Sequence, residues 1–292
     1  MESHLSEKIR VAIVGYGNIG KAAEEALRLT PDMTPVGVFH HQDPLEGMEA
    51  DVALLCVPTR EVPVFAERLL KQGVSTVDSF DIHGRIAGLR QSLTPVAKTH
   101  KAVGIVAAGW DPGTDSVVRA LMQAMAPRGI TYTDFGPGRS MGHTVAAKAI
   151  PGVKDALSMT IPLGTGIHRR MVYVELKDGA DFREVERLLL EDDYFAHDET
   201  HVVQVPSVDA LNNVAHGVHL SRSGVSGSTH NQRFSFDMSI NNPALTAQIM
   251  VSCARAAFRM KKEGRYGAYT LIEVAPVDLL PGDAETNVRL WV

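Results

Sequence analysis

The chain has 292 residues, 45% of them hydrophobic and 22% charged, with a formal net charge of −5. That composition fits a globular protein of one or two domains and excludes a collagen-like, coiled-coil or charge-rich disordered chain. The acidic balance leaves no cationic excess to neutralise phosphates, which argues against nucleic acid as the main partner. The first eight residues, Met-Glu-Ser-His-Leu-Ser-Glu-Lys, contain no apolar stretch. No secretory leader is therefore expected, and a cytoplasmic location is.

A β-prone run at 9–14 leads into Gly15-Tyr16-Gly17-Asn18-Ile19-Gly20 and then into a segment with apolar residues at helical spacing. A glycine triplet between a strand and a helix suits a dinucleotide. Gly15 permits the tight turn, Gly17 lets a pyrophosphate approach the backbone, and Gly20 lets the helix pack on the strand. The helix N-terminus then offers N–H groups and a positive dipole end to the phosphates. A second strand at 35–39 ends in His40-His41-Gln42-Asp43, where such folds meet the adenosine ribose. An acidic residue there favours NAD and an arginine favours NADP. His40 and His41 can donate to a phosphate, whereas Asp43 can turn toward a hydroxyl. These residues leave the choice between NADP and NAD open.

The run 51–57 reads as a buried strand and is far shorter than the ~18–20 residues that span a bilayer, so no membrane partner is expected. Its Cys56, like Cys253, sits among apolar residues and reads as a reduced core thiol. The strand ends in Cys56-Val57-Pro58-Thr59, and a helix is predicted over 61–72. A strand at 74–77 opens Asp78-Ser79-Phe80-Asp81. Helix 84–100 and strand 102–107 then lead to Ala108-Gly109-Trp110-Asp111-Pro112-Gly113. This β-α-β-α alternation predicts an α/β protein with an N-terminal Rossmann-type, doubly wound parallel sheet. Ligands in such sheets sit beyond the carboxyl ends of the strands. The candidate cofactor contacts are therefore Gly15, Tyr16, Gly17, Asn18, Ile19, Gly20, His40, His41, Cys56, Val57, Pro58, Thr59, Ser79 and Phe80. Asp81, Trp110 and Asp111 are placed for chemistry, although an aspartate after a strand equally serves as a turn former or helix cap.

Beyond residue 115 the pattern changes. Helix 114–126 is followed by a strand near 131–135, the loop Gly136-Pro137-Gly138-Arg139-Ser140-Met141-Gly142-His143 and a short helix at 144–149. Strands at 155–161 and 170–176, a helix at 181–190, a strand at 200–205 and an apolar run from His216 to Leu220 come next. Residues 221–232 are rich in Gly and Ser and read as turn-like, and 234–240 alternate like a half-buried strand. These elements predict an inserted α+β domain over 116–244. The dinucleotide-binding domain spans 1–115 and is completed by about 245–292, through a long helix at 243–263 and a strand at 268–275.

Several blocks together resemble the meso-diaminopimelate dehydrogenase family. They are the 11–20 glycine motif, Asp78-Ser-Phe-Asp81, Gly109-Trp-Asp-Pro-Gly113, Gly136-Pro-Gly138 with Met141-Gly142-His143, Ile150-Pro-Gly-Val153, His216-Gly217, Asn242-Pro243 and 267–276. They fall in the family's order and cover nearly the whole chain. The resemblance implies NADP-dependent oxidative deamination of the D-centre of meso-2,6-diaminopimelate, giving L-2-amino-6-oxopimelate and ammonia, and the reverse reductive amination. It implies substrate contacts at Asp81, Trp110, Asp111, Met141, Gly142, Thr160, Arg170, His216 and Asn242, and a homodimer. The chain departs from the best-known members at His40-His41, where they carry arginine. It is also shorter between the second and third strands and between Thr160 and Arg170, and it has Phe135 where tryptophan is familiar. These departures match a shorter subgroup that accepts a wider range of D-amino acids.

The chemistry suits those residue types. Arg170 can grip a carboxylate bidentately, with Thr160 and His216 adding hydrogen bonds. Arg169 and Arg170 alternate in a strand, so at most one of them points into the site. Asp81 and Asp111 can hold ammonium groups, Asp111 can orient or accept the departing proton, and carboxylates close together raise one another's pKa. Trp110 supplies an apolar wall. Asn242 also reads as a helix cap, and His143 and His230 as hydrogen-bonding structure. No metal site is expected, since the two cysteines are far apart in the sequence and the adjacent His40-His41 is no zinc pair by spacing. Two other readings stay open: another two-domain nicotinamide reductase of the dihydrodipicolinate or sugar type, and a non-catalytic dinucleotide sensor. A pocket with carboxylates and a guanidinium favours the dehydrogenase over both.

Overall fold

A computed structural model describes residues 8–40, 42–211 and 215–292. In chain order, β1 (Ile9–Val14), α1 (Asn18–Arg28), β2 (Met33–Phe39), β3 (Val52–Leu55), α2 (Val62–Lys71), β4 (Ser75–Asp78), α3 (Ile86–Thr99), β5 (Val103–Val106) and α4 (Thr114–Met125) come first. Next are β6 (Arg128–Phe135), β7 (Gly138–Arg139), α5 (Met141–Ala149), β8 (Val153–Gly164), β9 (Ile167–Leu176), α6 (Phe182–Glu191), β10 (Glu199–Gln204), β11 (His216–Ser226) and β12 (Thr229–Ile240). The chain closes with α7 (Asn242–Lys262), β13 (Gly267–Thr270), α8 (Pro276–Leu279) and α9 (Ala284–Trp291). It forms two compact units. One comprises the described residues up to Ala120 together with Pro243–Val292, and the other is Leu121–Asn242.

The first unit is built on a six-stranded sheet in the order β13-β5-β4-β3-β1-β2, with every neighbouring pair parallel. Side chains of a strand alternate between faces. Val11 and Ile13 accordingly join one core cluster, and Ala12 and Val14 join another. The first cluster is covered by Ala23 and Leu27 of α1 and by Met250, Val251 and Ala254 of α7. The second is covered by Phe65 and Leu69 of α2 and by Leu89 and Leu93 of α3. Burial on both faces explains why β3, β4 and β5 are wholly buried, and why β3 and β5 read as unbroken apolar runs. The chain steps from β1 to β2 in one direction and from β3 onward in the other. The crevice above the carboxyl ends of β1 and β3 is thus the topological switch point. On α7, Arg255 is buried and forks onto both carboxylate oxygens of Asp32, at 2.6 and 2.8 Å. That guanidinium holds the Asp32 carboxyl below its ordinary range.

The second unit has α+β character. One sheet runs β10-β9-β8-β7, with β9 and β10 parallel and the other pairs antiparallel. Its core joins Ala147 of α5 and Val185 and Leu189 of α6 to Val153, Ala156, Val172 and Val174 of the sheet. A second sheet, β12-β11-β6, is antiparallel throughout.

Two sequence expectations are corrected. Residues 221–232, read as turn-like, are mostly strand, and only 227–228 separate β11 from β12. Small residues are what this strand pair admits. A Cβ on Gly224 would lie 2.6 Å from the Arg128 carbonyl oxygen, so the glycine marks close strand approach rather than a turn. The strand expected over 268–275 stops at Thr270. There Thr270 and Glu273 form a reciprocal cap that starts a short 3₁₀ turn, and Pro276 then opens α8. The sequence reading also passed over β7 and α9.

Candidate active site

In the first unit the turn after β1 is shaped by its glycines. Gly15 has φ +94°, and a Cβ there would lie 2.4 Å from the carbonyl oxygen of Cys56. A Cβ on Gly20 would lie 2.3 Å from the Gly15 carbonyl oxygen. These two glycines let β1, the β3 loop and α1 close on one another. Gly17 is different, because a Cβ there would meet nothing within 4 Å. It caps α1 with no side-chain hydrogen bond and no acidic residue in the first turn. The N–H groups of Asn18 and Ile19 therefore begin an eleven-residue helix that no side chain caps, the arrangement an anion stabilises.

Around this turn, the Tyr16 hydroxyl donates to Glu24 at 2.5 Å, which raises its pKa, and its ring meets that of His40 edge-on at 6.2 Å. The carboxylate of Asp43 turns back to accept the backbone N–H of His40 at 2.6 Å. His41 lies outside the described residues. After β3, Cys56, Val57, Pro58 and Thr59 form the facing loop, and the Thr59 hydroxyl accepts the backbone N–H of Asp81 at 3.2 Å. Burial pushes the Cys56 thiol up to about 12, and Cys253 is raised by the same cause, so both are inert free thiols.

Ser79, Phe80 and Asp81 follow β4, and Trp110 and Asp111 follow β5. Gly109 and Gly113 pinch the second of these loops shut. The Gly109 N–H donates to the Pro112 carbonyl at 3.1 Å, and a Cβ on Gly113 would lie 1.8 Å from the Gly109 oxygen. Trp110 is buried, and its carbonyl accepts the backbone N–H of Asp115 at 3.1 Å and the Thr114 hydroxyl at 3.2 Å. Asp111 accepts Nη2 of Arg119 at 3.2 Å, and the same nitrogen donates to Asp115 at 2.6 Å. Sequence reasoning missed Asp115 and Arg119. The signal was present as Asp111-x-x-x-Asp115-x-x-x-Arg119, a spacing that stacks the last two on one helix face.

In the second unit, Gly136-Pro137-Gly138 threads between strands. Cβ atoms on Gly136 and Gly138 would lie 2.2 Å from the Thr160 oxygen and 2.1 Å from the Ala215 oxygen. This tight passage brings Thr160 and His216 against one segment, which runs on into the start of α5 at Met141 and Gly142. Gly138 pairs with Thr160, and Thr160 with Arg170. The Arg170 guanidinium, 14% exposed, donates through Nε to Asp198 at 2.6 Å and through Nη1 to the Thr160 hydroxyl. Arg169 instead bonds Glu199 at 2.8 Å and is 39% exposed, so Arg170 is the more enclosed of the alternating pair. His143 bonds Ser140 at 2.9 Å and packs against Tyr194 and Phe195. Burial, with the Arg170 charge adding to it, lowers its pKa and so favours the neutral ring. His168, absent from the sequence reading, accepts the Phe135 backbone N–H on Nε2 at 2.7 Å and stacks near the Phe135 ring. Asp198 was also missed, since nothing in its neighbourhood of the sequence announces a strand partner for Arg170. Asn242 opens α7. Among the described residues no group of three or more metal-ligating side chains occurs, and no helix is long and apolar enough to cross a membrane.

Residues 109–167 match the family model of the diaminopimelic acid dehydrogenase C-terminal domain. The meso-diaminopimelate D-dehydrogenase of Bacteroides fragilis is 56% identical, over 96% of this chain and 97% of that one. The enzyme of the same name from Corynebacterium glutamicum is 32% identical, over 94% and 96%. Among solved structures, the C. glutamicum DAP dehydrogenase in complex with DAP superposes with a TM-score of 0.87 at 31% identity, over 98% of this chain and 100% of that one. An engineered D-amino acid dehydrogenase bound to NADP+ gives 0.82 at 30% identity, with the same coverage. Likeness of that extent, over a parallel nucleotide-type sheet followed by a second unit with an oriented guanidinium, makes the chain a member of the meso-diaminopimelate D-dehydrogenase family, oxidoreductases that act on a CH–NH2 group.

Proposed function

We propose that the protein oxidatively deaminates the D-centre of meso-2,6-diaminopimelate to L-2-amino-6-oxopimelate and ammonia, and catalyses the reverse reductive amination, using NADP. The observation that carries this reading is the 56% identity over nearly the full length of the B. fragilis enzyme. The likeness to a structure holding DAP and to one holding NADP+ supports the substrate and cofactor classes. In this assignment the first unit binds the dinucleotide, and the second binds substrate and mediates a homodimer in the cytoplasm.

The residues fit a dinucleotide. Open backbone at Gly17, the uncapped start of α1 and the enforced turn at Gly15 and Gly20 form a cradle for a diphosphate. Tyr16, Asn18 and Ile19 flank it, and Cys56 to Thr59 with Ser79 and Phe80 line the neighbouring strand ends. Asp43 is engaged by the His40 backbone, which favours histidine contact with a 2′-phosphate over a carboxylate contact with a 2′-hydroxyl. A nicotinamide held in that cradle would supply the hydride-accepting chemistry that oxidation of the amino-bearing carbon needs.

The chain's own residues do the rest. Asp111 and Asp81 hold and deprotonate the ammonium group, because the carbon releases hydride only when its nitrogen can form an imine. Trp110 walls the reacting carbon from bulk water. Arg170, aimed by Asp198 and Thr160, grips a carboxylate, with Met141, Gly142, His216 and Asn242 completing the substrate site. Phe135 and the short passage between Thr160 and Arg170 leave room for other D-amino acids.

The test is absorbance at 340 nm at alkaline pH with meso-diaminopimelate, with NADP and NAD in parallel. A rise with the meso isomer and none with the L,L isomer is expected, faster with NADP. No rise with either cofactor, in protein shown to bind one, overturns the assignment.

A further inference from the structure

Asp115 is a fully buried aspartate that the proposed chemistry does not use. It stands in the first turn of α4, with its backbone N–H held by the Trp110 carbonyl at 3.1 Å. Its Oδ1 accepts the Ser116 hydroxyl at 3.2 Å, and its Oδ2 accepts Nη2 of Arg119 at 2.6 Å. The same Nη2 reaches Oδ1 of Asp111 at 3.2 Å, where Asp111 is itself only 14% exposed. Ser116 is fixed in turn by the Gly113 N–H at 3.2 Å. The hollow beside Pro112, Gly113 and Ser116 is otherwise lined by Ile86, Ala107, Thr270, Leu271 and Ile272, which bring no charge. The charged groups that reach Asp115 are thus Asp111 from the loop and Arg119 from its own helix.

One guanidinium therefore serves two enclosed carboxyl groups. Two carboxylates and one cation leave a net negative charge away from water, which is costly, and a single shared proton removes it. Burial first, and then the Asp111 charge, push Asp115 up to about 7.

Resting on the reading that Asp111 faces the reacting amino group, we propose that Asp115 is a positioning residue that forms with Asp111 a carboxyl pair sharing one proton beneath Arg119. This pairing sets the aim of Asp111. In the oxidative direction the fully ionised pair receives the proton lost by the substrate ammonium, leaving one neutral and one ionised carboxyl. In the reductive direction the same proton returns to the product amine.

The test is carboxyl ¹³C NMR of protein labelled at aspartate Cγ, titrated between pH 5 and 9, on wild type, Asp115→Asn and Asp111→Asn. The expected result is a resonance in wild type with a midpoint near neutrality that is missing in Asp115→Asn. In Asp111→Asn its midpoint should drop by about one pH unit or more, because the like charge is gone. A midpoint unmoved by Asp111→Asn overturns the pairing, and that measurement needs no activity. Turnover is then read with cofactor KM. Asp115→Asn should lower kcat about tenfold or more with cofactor KM unchanged. Full turnover in folded Asp115→Asn, where Asp111→Asn is inactive, overturns the positioning role. Full turnover in Asp111→Asn, with the titration still coupled, instead removes the assignment of Asp111 on which the proposal rests.

Discussion

The carboxylate of Asp78 accepts the backbone N–H of Ala107 at 3.0 Å, tying the end of β4 to the loop that follows β5. The same oxygen accepts the Phe80 N–H at 3.0 Å, and the Asp78 carbonyl accepts the Ala108 N–H at 2.7 Å. One buried side chain thus holds together the two loops that carry Asp81 and Asp111. Two hydrogen bonds pull its pKa down, yet complete burial outweighs them and lifts it from 3.8 to about 6.

That balance has a sign. The fold raises the pKa above its unfolded value, so the native state binds more protons across pH 4–6 and loses stability as pH rises through that window. Above it the full penalty applies, about 3 kcal/mol. Asp78→Asn keeps an acceptor oxygen but does not titrate. Urea unfolding of both proteins should show the variant gaining about 2 kcal/mol relative to wild type between pH 4 and pH 7. Asp115 titrates in both proteins and cancels. A pH-independent difference would mean that water reaches Asp78.

The glycines of the first turn should separate binding from folding. Gly17→Ala meets no neighbour, so stability should change by no more than about 1 kcal/mol. Dinucleotide Kd, measured by calorimetry, should still rise at least about tenfold if the pyrophosphate lies on that backbone. Gly20→Ala drives a methyl group against the Gly15 carbonyl and should cost about 1–3 kcal/mol of stability as well. Equal dinucleotide affinity in wild type and Gly17→Ala would place the diphosphate elsewhere.

Arg170 is aimed by two side chains before any ligand arrives. Arg170→Ala should weaken substrate binding by about 2–5 kcal/mol, a factor of roughly 30 to several thousand in KM. Asp198→Asn keeps the guanidinium but loosens its aim, and should cost roughly tenfold. Steady-state kinetics on the two variants check this order. An effect below threefold for Arg170→Ala means that the guanidinium serves only the strand pair.

Cofactor choice is expected to follow His40. Its ring meets Tyr16 edge-on and its backbone is held by Asp43. His40→Asp puts a carboxylate where a 2′-phosphate would lie and should lower the NADP-to-NAD ratio of kcat/KM by about tenfold or more. An unchanged ratio would assign discrimination to other residues.

Much of the first unit was legible. The run into Gly15-x-Gly17-x-x-Gly20, the apolar runs of β3 and β5 and the helical spacing of α1 and α2 are local patterns, and each matches an element of the structure. Misreadings arose where composition was ambiguous. Glycines and serines at 221–226 suggest turns, yet Gly224 and Gly129 are small because neighbouring strands pass close by. Thr270 continues a strand pattern, yet its cap with Glu273 ends the strand.

Local pattern therefore determined the α/β class, the nucleotide-type turn and the residue types available for chemistry, because strand alternation, helix spacing and glycine turns depend on neighbours in the chain. Only the tertiary structure decided which charges meet. Asp198 reaches Arg170 across 28 residues, and Asp78 reaches Ala107 across 29. Asp115 becomes a partner of Asp111 because a pinched loop folds back on the first turn of a helix and buries one carboxyl beside another. Such meetings depend on strand register and burial, which set the electrostatics of a site and which no short stretch of sequence encodes.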